Sequence, residues 1–132
     1  MYRKLSEFEL KSGQRVEAGV VIAPDADWSE RLKDFLSWQD DIWNWQNSIF
    51  LESQTGIEVY YYVAHADGQV ISTIMSAECN GIGLRGHIWT PPELRRNGAC
   101  APLHGLQLKD FHSRGGKFFA AYTDFNSAAW HI

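Results

Sequence analysis

Residues 58–90, EVYYYVAHADGQVISTIMSAECNGIGLRGHIWT, contain two Asx–Gly pairs set between runs rich in β-branched and aromatic residues. Asp67-Gly68 and Asn80-Gly81 are the pairs favoured by a two-residue hairpin turn whose central residues both take positive φ. The stretch therefore predicts three strands, EVYYYVAHA (58–66), QVISTIMSAE (69–78) and GLRGHIWT (83–90), joined as an antiparallel meander.

Downstream, TPPELRRNGACAPL (90–103) leads into a segment from about Ala99 to Ser113 whose Leu103, Leu106, Leu108 and Phe111 fall largely along one helical side, with RGG (114–116) as a stop. KFFAAYT (117–123) reads as a final buried strand. A strand, a helix and a strand in that order predict a right-handed crossover between parallel strands, hence a mixed sheet in an α+β (α/β) domain. Upstream, RVEAGVVIA (15–23) predicts one good strand, with a weaker partner before the Ser12-Gly13 turn. Asp27, with Glu30 three residues on, is the expected cap of a helical region through Phe50, either one long helix or two joined near Gln39. No repeat or linker interrupts the chain, so residues 1–132 form one expected domain.

Composition narrows the class of function. With 45% hydrophobic and 21% charged residues the chain is of globular type, and no run approaches the ~20 apolar residues of a membrane helix. The net charge of −4 speaks against a non-specific nucleic-acid binder, which needs a basic surface. MYRKLSEFEL lacks the apolar stretch of a secretory signal, which makes a cytoplasmic location the expectation. Cys79 and Cys100 are too few for a disulfide framework, and neither they nor the five histidines have metal-ligand spacing; no metal is expected.

The turn between the third meander strand and the helix has its own chemistry. A helix N-terminus exposes unpaired N–H groups at the positive end of the helix dipole and suits a phosphate. Gly98 lets backbone approach an anion, Ala99, Cys100 and Ala101 keep the first turn uncrowded, and Pro102 falls where its missing N–H costs nothing.

These residues resemble motif A of the GNAT-type N-acetyltransferases, V-x-P-x-x-[RQ]-x-x-G-x-[GA], with Thr90, Pro92, Arg95 and Gly98 on its positions. NSAAWHI (126–132) is similar to the family's N-x-x-A-x-x-[LI] segment through Asn126, Ala129 and Ile132. The resemblance covers residues 58 to 132 and implies a GNAT-like fold that uses acetyl-coenzyme A. It gives Ile88 and Thr90 a role in binding pantetheine and Arg95, Arg96, Asn97, Gly98, Ala99 and Cys100 a role in binding pyrophosphate, with Asn126 contacting the cofactor. Cys100 departs from the usual Gly or Ala. Against the family pattern, the chain also stops one position before the tyrosine that many members use as general acid, and its final strands are missing.

The implied reaction is acetyl transfer to a primary amine of a small molecule or peptide. The alternative is a non-catalytic coenzyme A-binding module, or a truncated relic acting through protein association. His87, on the third meander strand, is a candidate base, and Glu78 is a second. In WQDDIWNWQ (38–46), Asp40 or Asp41 is a candidate counter-charge for a cationic amine and Trp43 or Trp45 a candidate cation–π surface. The final strand, left as a bare apolar edge, predicts a homo-oligomer, unless the N-terminal EFEL covers it.

Overall fold

Both Asx–Gly turns have the expected backbone: Asp67 and Gly68 sit at φ 52° and 79°, and Asn80 and Gly81 at φ 50° and 79°. The computed structural model describes residues 1–36, 41–53 and 55–121. Around the two turns run β3 (Glu58–Ala66), β4 (Gln69–Cys79) and β5 (Ile82–Trp89), paired antiparallel. Upstream lie β1 (Tyr2–Glu9), β2 (Arg15–Ile22), α1 (Ala26–Phe35) and α2 (Asp41–Glu52), and downstream α3 (Cys100–Ser113) and β6 (Phe118–Ala121). The strands form one six-stranded sheet in chain order, antiparallel throughout except for the parallel β5–β6 pair that α3 connects. The expected α+β fold with a mixed sheet is what forms.

Alternation along the strands builds a core on each face. Val21, Val59, Tyr61, Val63 and Met75 pack against Trp28, Leu32, Leu36 and Leu51 of the α1–α2 layer. Ala18, Val20, Tyr60, Tyr62, Ala64 and Ile74 face the other way and meet Leu103 of α3. Because β3 is covered on both faces, its residues 59–64 are all buried, which explains their nearly unbroken apolar and aromatic run.

Three expectations need adjustment. β1 is a full eight-residue strand, although its partly exposed sequence YRKLSEFE gives little sign of one; β2 supplies its register. α1 is capped by Asp25, not Asp27: the Asp25 carboxylate accepts the Trp28 N–H at 3.0 Å, so Asp27 lies within the helix. The N-terminal strand lies at the edge farthest from β6, so EFEL does not cover β6. The helical region of 27–50 forms two helices.

A partly buried polar cluster, with buried carboxylates and more exposed arginines, fastens the end of α3 to the sheet. Arg114 makes a two-pronged contact with Glu78, at 2.6 and 3.0 Å, and its Nε donates to Asp110 at 3.1 Å. Tyr62 donates to Asp110 at 2.8 Å, and Arg3 reaches the other Asp110 oxygen at 2.6 Å. Burial pushes the Asp110 carboxyl up, but the hydrogen bonds from Arg3, Tyr62 and Arg114 outweigh it and hold the group below the usual carboxylate range. Two arginines balance two carboxylates, and the buried charge is compensated.

Candidate functional site

The path from β5 to α3 bends through a short 3₁₀ turn, Pro92–Leu94, then reverses at Arg96 and Gly98, which take φ of 62° and 86°. Gly98 is the residue type for that geometry, since a Cβ at such a φ is strained. Pro102 sits in the first turn of α3 as its missing N–H allows.

A cavity of about 250 Å³ opens at this loop, lined by Lys11, Thr90, Leu94, Arg95, Arg96 and the 98–101 segment. Three cations border it, and among the described residues no carboxylate does. None of Lys11, Arg95 and Arg96 makes an ion pair among the described residues, although the chain carries an excess of acid. Arg95 is oriented by its Nε donating to the Thr90 carbonyl at 2.8 Å and by the face of Trp89, 4.9 Å from the guanidinium carbon. Uncompensated positive charge beside a helix N-terminus is suited to a polyanion.

Of the pyrophosphate residues expected from the sequence, the loop gathers Arg95, Arg96, Gly98, Ala99 and Cys100 at the cavity, while Asn97 turns its side chain away toward Ser12. Cys100 borders the cavity as a free thiol, and burial pushes that thiol up despite the nearby helix terminus and Arg85. It stays protonated.

β5 bends beside this loop. Its register with β4 slips between the Thr73–Trp89 and Met75–Gly86 pairs, and His87 takes φ 48°, the geometry of a bulge. Thr73 Oγ1 donates to the His87 carbonyl at 3.0 Å and stabilises the distortion. The β5–β6 ladder runs from Ile82 to Arg85, and among the described residues no strand pairs with that edge of β5 beyond it. Ile88 and Thr90 lie in this stretch. Ile88 packs on the α3-side core, and the Thr90 hydroxyl is 2.8 Å from that of Ser72.

The bulge points His87 to the other face, under α2. Its Nδ1 lies 2.5 Å from Asn47 Oδ1 and 3.3 Å from the Tyr61 hydroxyl, and Tyr61 donates to the same Asn47 oxygen at 2.5 Å. His87, Asn47 and Tyr61 thus form one polar cluster beneath α2. Burial lowers the His87 pKa from 6.5 to about 4, so the ring is neutral at neutral pH.

The other expected residues do not join this group. Glu78 projects to the α3 face, where Arg114 and Ser76 bind both of its oxygens. Asp41 is exposed at the start of α2, a position that complements the helix dipole. Asp40, Asn126 and the Trp43 side chain lie outside the described residues.

Lys11, Asn47 and Tyr61 were not legible as site residues in the sequence. Asn47 had one signal, a polar residue three and four positions before Phe50 and Leu51 on the inward side of a helix. Lys11 had none, because its approach to the loop is made across more than eighty residues of chain.

Comparison with solved structures identifies the architecture as that of the GNAT-type acetyltransferases. A ribosomal-protein-alanine N-acetyltransferase from Brucella melitensis superposes with a TM-score of 0.64 at 11% identity, over 86% of this chain and 85% of that one. The GNAT domain of S. lividans PAT gives 0.64 at 16% identity over 88% and 76%. The aminoglycoside acetyltransferase AAC(6')-Iy, in complex with a CoA bisubstrate analogue, gives 0.57 at 15% identity over 85% and 84%. No family model and no curated protein matches the sequence. At these identities it is the fold that is shared.

Proposed function

We propose that this protein transfers an acetyl group from acetyl-coenzyme A to a primary amine of a small molecule or peptide. The observation that carries the reading is the cavity at the start of α3, where three cations that make no ion pair among the described residues and a helix N-terminus meet beside a bulged strand. A ligand with a diphosphate at one end and an amide-bearing arm at the other suits that pair of features. Arg95, Arg96 and the amides of the 98–101 segment hold the pyrophosphate, and the backbone of β5 at Ile88 and Thr90 pairs with the pantetheine arm. The same kind of arm occurs in ligands crystallised with AAC(6')-Iy, which supports the assignment.

Direct attack of an amine on a thioester needs positioning, a polarised carbonyl and removal of one proton. Once the ammonium has given up one proton, the nitrogen forms a bond to the acetyl carbon, the C–S bond breaks, and the second nitrogen proton goes to the departing thiolate. His87, neutral at neutral pH, accepts the ammonium proton directly or through water. Its low basicity means that it passes the proton on and does not store it.

Two measurements test the reading. Incubation with acetyl-coenzyme A and a panel of amines should release thiol only when an amine is present. Tight coenzyme binding with no turnover on any amine would establish a binding module in place of the enzyme. In calorimetry, Gly98→Val should weaken coenzyme A binding, since Gly98 lines the cavity, a side chain there stands against Lys11, and the left-handed backbone adds about 1–3 kcal/mol of strain. Unchanged affinity in the folded variant would remove the loop from the site.

A further inference from the structure

The β1–β2 hairpin touches the coenzyme loop closely and through specific bonds. The Lys11 N–H donates to the Asn97 carbonyl at 2.9 Å, and the Ser12 N–H donates to Asn97 Oδ1 at 2.9 Å. Asn97 Nδ2 in turn donates to Ser12 Oγ at 3.2 Å. Beneath these bonds Leu10 and Val16 share a small apolar core with Ala99, and Leu94 packs against it. Lys11 Cγ lies 3.7 Å from the point where a Cβ on Gly98 would stand. The lysine therefore leaves a backbone fixed to the loop, passes over Gly98 and borders the same cavity as Arg95 and Arg96.

We infer that the hairpin is a wall of the coenzyme site, with Lys11 binding the pyrophosphate and Asn97 serving to hold Lys11 there. This rests on the coenzyme reading proposed above. The physical argument is one of charge and place. A diphosphate seated on the 98–101 amides lies on the side of Gly98 that Lys11 crosses, and a mobile ammonium gains little from a phosphate unless its backbone is already fixed. Asn97 supplies that fixing: its side chain holds Ser12, the residue after Lys11, through two bonds, and its carbonyl accepts the Lys11 N–H. Its side chain is thus a positioning element, not a ligand of the phosphate.

Calorimetry on the full chain, at about 0.1 M ionic strength to keep exposed charges visible, separates the possibilities. The probes are coenzyme A and dephospho-coenzyme A, which lacks the ribose phosphate and keeps the diphosphate. Lys11→Met should weaken both about tenfold, the size of one partly screened charge contact, and Lys11→Arg should restore most of the loss. A loss confined to coenzyme A would move Lys11 to the ribose phosphate and overturn the pyrophosphate assignment. No loss with either ligand would remove Lys11 from the site. Asn97→Ala should weaken binding in the parent and add nothing to Lys11→Met, whereas an equal further loss in both backgrounds would refute the positioning role. If the parent binds neither probe, the coenzyme reading itself fails, and this inference with it.

Discussion

Acidification should unfold this protein partly through His87, and the size of the effect follows from its burial. In the unfolded chain the imidazole takes up a proton near its ordinary value of 6.5, while in the folded protein burial under α2 delays uptake to about pH 4. Between those values the unfolded state binds more protons, so stability rises with pH through the window, is fully present above 6.5 and is lost as pH falls. At about pH 5 the unfolded state is favoured by about 2 kcal/mol from this group alone, approaching about 3 kcal/mol when both states are protonated. The comparison variant is His87→Asn, because asparagine tolerates the left-handed backbone that residue 87 occupies. Urea unfolding of both proteins at about pH 7 and pH 5 should show the parent losing about 2 kcal/mol more than the variant. His65 and His104 are also lowered, first by burial, but both remain in the variant and cancel in the difference. Equal losses in the two proteins, or a His87 imidazole that titrates near 6.5 by NMR, would refute the buried neutral ring and the proton acceptor built on it.

Other consequences are as direct. Arg114→Met leaves Glu78 and Asp110 buried without their shared cation and should cost about 3 kcal/mol in urea unfolding; a loss below about 1 kcal/mol would mean that water already solvates the cluster. Glu78→Gln should reduce stability in the same assay yet leave the transfer rate per folded molecule unchanged, and a large fall in that rate would restore Glu78 as a candidate base. Ile82, Leu84 and Phe118 stand 57%, 54% and 61% exposed on one face of the β5–β6 end of the sheet, which supports the proposal of a homo-oligomer joined there. Light scattering should give a dimer or larger mass that Leu84→Lys shifts toward the monomer, and a monomer for the parent at micromolar concentration would end the proposal.

The local code of this sequence is strong where a few adjacent residues decide the backbone. Asp67-Gly68 and Asn80-Gly81 determine two hairpins because neighbouring residues alone supply the positive φ values, and the meander follows from them. Likewise Gly98, the small residues after it and Pro102 mark a helix start open to an anion, since the requirement is met within one turn of chain. What adjacency does not encode is which distant side chain arrives. β1 reads as little more than a polar run until β2 fixes its register, and only then does its hairpin bring Lys11 to the loop. Glu78 and His87 look alike in the sequence, two titratable residues on neighbouring strands. The side of the sheet that each faces, and so Arg114 for one and Asn47 for the other, depends on a bulge and two helices packed from elsewhere in the chain. Hydrogen-bond partners and burial are properties of the packed layers, so the tertiary structure makes Glu78 a fastening for α3 and leaves His87 neutral beneath α2.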